Sequence, residues 1–128
     1  MLQDKKIRVL VVDDFATMRK VIRNLLKQIG YENVVEAENG QVAMRTLKSQ
    51  KVDFIISDWN MPTMSGLELL KAVRGDEELT KTPFLMVTAE ALKENVVEAV
   101  KSGVNNYIVK PFTAEVLEEK IKKIIESM

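Results

Sequence analysis

Asp13 and Asp14, Asp58, Thr88, and Lys110 followed by Pro111 each stand where a short apolar run ends. Those runs, Ile7 to Val12, Phe54 to Ile56, Phe84 to Val87 and Tyr107 to Val109, are rich in branched or aromatic residues and lack polar alternation. That is the pattern of buried parallel strands. Parallel strands would bring all five side chains to one carboxyl edge, where open α/β sheets bind their ligands. Adjacent carboxylates repel, and a cation between them makes the arrangement tolerable. A carboxylate can attack phosphorus to give an acyl phosphate once a metal and a positive side chain neutralise the crowded oxygens. Asp58 is then the nucleophile, Asp13 and Asp14 with Asp58 the metal seat, Lys110 a point charge, and Thr88 a donor to a phosphoryl oxygen. The grouping predicts phosphoryl transfer onto an aspartate.

Each residue alone has a plainer explanation. Asp14 reads as a helix cap and Asp13 as a solvated loop charge. Asp58 reads as a turn residue ahead of Trp59-Asn60-Met61-Pro62, Lys110 as a surface lysine, and Thr88 as a β-branched strand end. Tyr107 reads as a half-buried sheet aromatic. It is their convergence on one edge that favours chemistry. Pro111 adds to it, because a proline directly after a strand forces a defined turn behind Lys110.

Composition narrows the partners. The 128 residues suit one domain, expected over 1–128, and 19 basic against 19 acidic residues give zero formal net charge. This offers no electrostatic footprint for nucleic acid or an anionic membrane, so neither is expected as a partner. Cysteine and histidine are both absent. There is then no disulfide framework and no soft metal site, and carboxylate oxygens select hard ions such as magnesium or manganese. No segment has the length and apolarity of a signal peptide or membrane span, so a cytoplasmic protein is expected.

Between the strands lie helical spacings. Met18, Val21, Ile22, Leu25, Leu26 and Ile29 form an amphipathic stripe that Gly30 terminates. A second helix spans about Gly40 to Ser49 with Asn39 as cap. Ser65 and Glu68 make a capping box ahead of Leu67, Leu69, Leu70 and Val73, with Gly75 closing the helix. Val96, Val97, Ala99 and Val100 precede Gly103, and Thr113 opens a last helix with Leu117, Ile121, Ile124 and Ile125 inward. Val34 to Ala37 completes five strands. Strand then helix, five times over short connections, predicts a single-domain α/β fold: a flavodoxin-like, doubly wound, five-stranded parallel sheet of order 2-1-3-4-5 with five helices. That order makes the first and third strands neighbours and places Asp13, Asp14 and Asp58 together.

With these residues in view, the chain resembles the receiver domains of two-component response regulators, in particular the single-domain chemotaxis members. The resemblance covers essentially the whole chain, through "VLVVDDFATMRKVIRNLL", "SDWNMPTMSGLELL", "MVTAEALKEN" and "NNYIVKPFTAEVLEEK". It implies that Asp58 is the phospho-acceptor, loaded from a phosphohistidine of a chemotaxis histidine kinase. Asp13, Asp14 and Asp58 with the backbone carbonyl of Asn60 would hold Mg2+, and Thr88 and Lys110 would contact the phosphoryl group. Asn60 and Glu90 would tune hydrolysis, and Tyr107 would swing inward on activation. The implied output is binding of the flagellar motor switch protein through Ala91, Lys93, Tyr107, Val109, Phe112 and Lys120. A phosphatase is a further implied partner, and a monomer is expected. Phe15 and Trp59 fit the stand-alone chemotaxis members better than receivers joined to DNA-binding domains. Two departures are visible: Ser65-Gly66 replaces a frequent Asp-Gly, and Leu92 stands where enteric members carry lysine.

On this reading the protein catalyses only its own phosphorylation and dephosphorylation. Two alternatives share the nucleophile. One is a phosphorelay receiver that passes phosphate to another histidine protein. The other is a magnesium-dependent aspartyl phosphatase, against which stand the lack of a lid insert and of Asp-x-Asp spacing at Asp13.

Overall fold

The computed structural model describes residues 5–89 and 93–127, without side-chain detail for Lys93 and Glu94. Strands and helices alternate as β1 (Val9–Val12), α1 (Ala16–Gln28), β2 (Val34–Ala37), α2 (Gly40–Ser49), β3 (Phe54–Asp58), α3 (Gly66–Gly75), β4 (Phe84–Thr88), α4 (Lys93–Lys101), β5 (Asn106–Val109) and α5 (Ala114–Glu126). The five strands form one sheet of order β2-β1-β3-β4-β5, and every neighbouring pair runs parallel. The expected fold is the observed one.

Side-chain alternation along each strand divides the core in two. Val9 and Val11 face Ile22 and Leu26 of α1 and Leu117, Ile121 and Ile124 of α5. Leu10 and Val12 face Ala43 and Leu47 of α2 and Leu69, Leu70 and Val73 of α3. Burial on both sides explains why these strands show no polar alternation. Asn39, Ser65 and Thr113 each accept from a first-turn backbone N–H of α2, α3 and α5, and Ser65 and Glu68 complete the capping box.

Some expectations change. Val21 is 42% exposed, because it lies roughly 100° around the helix from Ile22 and off the stripe that Ile22 and Leu26 bury. Gly30 and Gly103 adopt positive φ and end α1 and α4 as left-handed terminators, whereas Gly75 is simply the last residue of α3. Among the described residues no helix is long and apolar enough to cross a membrane.

The opposite pole of the sheet is fastened by Arg74, from the last turn of α3. Its guanidinium donates to Gly103 O at 2.9 Å, Thr80 O at 3.0 Å, Thr82 O at 2.6 Å and Asn105 Oδ1 at 2.8 Å. Asn105 Oδ1 also accepts from Phe84 N, the first residue of β4. Burial pulls the guanidinium below its usual pKa, and the four acceptors stand in for the water it has lost. Arg74→Met keeps much of the stem and strands three carbonyls. It is expected to cost about 2 kcal/mol, read as a lower urea midpoint with an unchanged slope.

Candidate functional site

Backbone pairing at the carboxyl edge carries the candidate residues into place. Asp13 N donates to Ala37 O at 3.2 Å, Trp59 N to Val87 O at 2.8 Å, and Lys110 N to Thr88 O at 2.8 Å. Asp58 and Thr88 are the last residues of β3 and β4, in register with Val87 and Val109. The Lys110-Pro111 peptide is cis.

Carboxylate oxygens of Asp13, Asp14 and Asp58 lie within 4.8 Å of one another. Lys110 Nζ stands 3.0 Å from Asp58 Oδ1 and 3.6 Å from Asp13 Oδ2. Asp13 is fully buried, Asp58 is 6% exposed and Thr88 8% exposed. Asp13 Oδ1 accepts from Phe15 N at 2.9 Å, and Phe15 is the N-cap of α1 without a side-chain cap. Asp14 is therefore not the cap of α1. Instead Asp14 Oδ1 and Asp13 Oδ2 are buried without a hydrogen-bond partner.

Three carboxylates and one ammonium leave an excess of negative charge in a buried place. Burial is the main cause holding both the Asp13 and Asp58 carboxyls above the ordinary range. The Phe15 N–H and Lys110 partly oppose it at Asp13, while at Asp58 Lys110 opposes it and Asp13 adds to it. The buried, unpartnered oxygens are all hard donors, which fits a divalent cation of the magnesium type.

The β3–α3 loop packs against this cluster. Gly66 N donates to Trp59 O at 2.8 Å, and a Cβ on Gly66 would lie 2.2 Å from Asp58 O. Thr63 has φ of 72°, a strained setting for a β-branched residue that costs about 1–3 kcal/mol and is held by the loop around it. Asn60 is exposed at the start of the same loop.

Away from the acids, Tyr107, Val109, Phe112 and Lys120 line one groove of about 380 Å³ with Pro111 and Val116. Val109 and Val116 are 38% and 40% exposed. Lys120 Nζ sits 5.2 Å from the centroid of the part-buried Tyr107 ring and 3.4 Å from Asn106 Oδ1. Glu90, Ala91 and Leu92, and the side chain of Lys93, lie outside the described residues. Arg19, which no motif pointed to, donates to Asp13 O at 2.8 Å.

Known proteins place this geometry. The chain is 55% identical over 119 residues to the chemotaxis protein CheY of Pseudomonas aeruginosa, covering 93% of this chain and 96% of the relative. It is 51% identical over 125 residues to CheY-3 of Vibrio cholerae, covering 98% and 96%. The crystal structure of Vibrio cholerae CheY4 superposes with a TM-score of 0.87 at 37% identity, over 93% of this chain and 98% of that one. The receiver domain of a Pseudomonas aeruginosa sensor histidine kinase, with a magnesium ion coordinated in its active site cleft, gives 0.84 at 27% identity over 94% and 98%. With the family model for the response regulator receiver domain matching residues 9–122, this chain belongs to the receiver domains and is CheY-like among them.

Proposed function

We propose that Asp58 accepts a phosphoryl group from the phosphohistidine of a chemotaxis histidine kinase, and that the phosphorylated form binds the flagellar motor switch and controls rotation. The observation that carries this is the Asp58 carboxylate, buried at a strand end 3.0 Å from Lys110 Nζ and grouped with Asp13 and Asp14. An Asp58 oxygen forms the new bond to phosphorus, and the bond to the donor breaks with its electron pair on the donor nitrogen. Lys110 neutralises charge gathering on the phosphoryl oxygens, and the Thr88 hydroxyl donates to one of them. A magnesium ion held by Asp13, Asp14, Asp58 and the Asn60 carbonyl would supply Lewis-acid neutralisation at the same oxygens. Asn60 and Glu90 tune hydrolysis of the acyl phosphate.

The protein acts on itself alone, as a monomer in the cytoplasm, and a phosphatase shortens its signal. Activation is a two-state shift in which Tyr107 turns inward once Thr88 engages the phosphate. The motor switch then docks on Ala91, Lys93, Tyr107, Val109, Phe112 and Lys120. The exposure of Val109 and Val116 beside the Tyr107 groove supports this surface.

Intact mass after incubation with acetyl phosphate and magnesium tests the reading. One phosphoryl adduct is expected on the wild type, abolished by excess chelator and absent from Asp58→Asn. An adduct that persists in Asp58→Asn would place the acceptor elsewhere.

A further inference from the structure

The loop that carries the acidic pair is held from outside the site. Arg19, on α1, is only 16% exposed along its side chain, and its guanidinium spans two elements. Nη1 donates to Asp13 O at 2.8 Å, and Nε donates to Glu36 Oε1 at 3.0 Å. Glu36 is on β2, paired with Val11 of β1, and its second oxygen accepts from Arg23 Nη1. Arg23 is in turn tied to Val34 O at 3.1 Å. Glu36 therefore has its two oxygens engaged and presents Arg19 in one orientation.

The carbonyl of Asp13 belongs to the peptide that joins Asp13 to Asp14. With Asp13 N bonded to Ala37 O and Asp13 O bonded to Arg19, both backbone polar groups of Asp13 are fixed. The rotation of that peptide sets where the Asp14 carboxylate points relative to Asp13. Two adjacent carboxylates would otherwise relax by turning apart, since each raises the cost of ionising its neighbour.

We propose that Arg19, oriented by Glu36, is a positioning residue that holds Asp13 and Asp14 in the geometry required for cation binding. Arg19 touches no reacting atom and acts through the Asp13 carbonyl. The proposal rests on the reading of Asp13, Asp14 and Asp58 as a magnesium seat. A long-range charge effect predicts the opposite sign, because removing a cation beside three carboxylates strengthens their hold on a divalent ion. Loss of an outer support for metal ligands weakens binding, characteristically by about 10-fold or more.

Magnesium titration of the metal-free protein decides between them, followed by the emission of Trp59, the single tryptophan and the neighbour of Asp58, and by calorimetry. Arg19→Met is expected to raise the magnesium Kd about 10-fold at a temperature where urea titration shows it fully folded. Arg19→Lys keeps the charge but loses the planar fork, and is expected to recover only part of the affinity. Wild-type affinity or tighter in Arg19→Met overturns the proposal while leaving the metal seat intact. If Arg19→Met does not fold, Arg19→Lys decides: wild-type affinity overturns the clamp, weaker binding supports it. No magnesium binding by the wild type overturns the metal seat and the clamp together.

Discussion

Gly66→Ala is expected to destabilise the protein by about 3 kcal/mol or more, lowering Tm by about 10 °C, and to reduce the yield of the Asp58 adduct. Its Cβ would stand 2.2 Å from Asp58 O, 3.0 Å from Asp58 C and 2.9 Å from Met86 Sδ. The sulfur can move, but the carbonyl cannot. Asp58 O accepts from Ser57 Oγ at 3.0 Å, Trp59 N is bonded to Val87 O, and Gly66 N is bonded to Trp59 O. Relief must come from moving α3 away from β3, which strains the Gly66 N–Trp59 O bond and so disturbs the loop that directly follows Asp58. Two other helical glycines are controls. At Gly40 the intruding Cβ meets Met64 at Sδ 2.5 Å, Cγ 2.6 Å and Cβ 2.9 Å, so the side chain must turn and its loop give way, and Gly40→Ala should destabilise, though less than a clash with a strand carbonyl. At Gly75 nothing lies within 4 Å and φ is not positive, so Gly75→Ala should stabilise by about 0.5–1 kcal/mol. Calorimetric Tm values ranked Gly75→Ala, wild type, Gly40→Ala, Gly66→Ala would bear this out. A Gly66→Ala protein as stable as the wild type would show that α3 is not seated on the Asp58 carbonyl.

How much of this was legible in the chain depends on where each signal resides. The limits of β2, the start of α2 with its Asn39 cap and the Ser65-Glu68 box were readable, because local side-chain chemistry determines them. The ends of β3 and β4 were not. Asp58 and Thr88 remain in the ladder as final residues, since backbone pairing to Val87 and Val109 continues past the last apolar side chain. Ile7 belongs to the apolar run yet lies outside β1, where Arg8 N is taken by the Asp53 carboxylate at 2.9 Å. The cluster itself was legible because residue type and strand position converge once β1 and β3 are neighbours. Asp14 required the structure, which shows Phe15 at the cap position and the Asp14 oxygen without a partner. Arg19 and Arg74 left no trace, because each uses backbone carbonyl acceptors, which every residue has. The side chains that touch the reacting group declare themselves by type; those that hold them in place do not.

Asp13→Asn is expected to make the metal-free protein more stable while removing its response to magnesium. Burial raises the carboxyls of Asp13 and Asp58 above the ordinary value of 3.8. Each then binds its proton more tightly folded than unfolded, so stability falls as pH rises from that ordinary value through the raised one. At neutral pH the whole penalty is present, and a neutral asparagine removes its share. Asp76 behaves oppositely: its bond to Lys48 lowers its carboxyl, so its contribution is present above 3.8 and is lost as pH falls through its folded value. Asp76 is the half-buried C-cap residue of α3 and its partner Lys48 is exposed, so the ion pair is screened by solvent, and Asp76→Asn should move Tm little and serves as the control. In excess chelator at pH 7, calorimetry should show Asp13→Asn and Asp58→Asn melting a few degrees above the wild type, with the gap closing toward pH 4. Saturating magnesium should then reverse the order, because only the intact triad binds: an ion at 100 times its Kd stabilises the wild type by about 2.7 kcal/mol. Equal melting in chelator at pH 7 would mean that Lys110 already neutralises the cluster. Equal melting in magnesium would mean that the acids do not hold the ion.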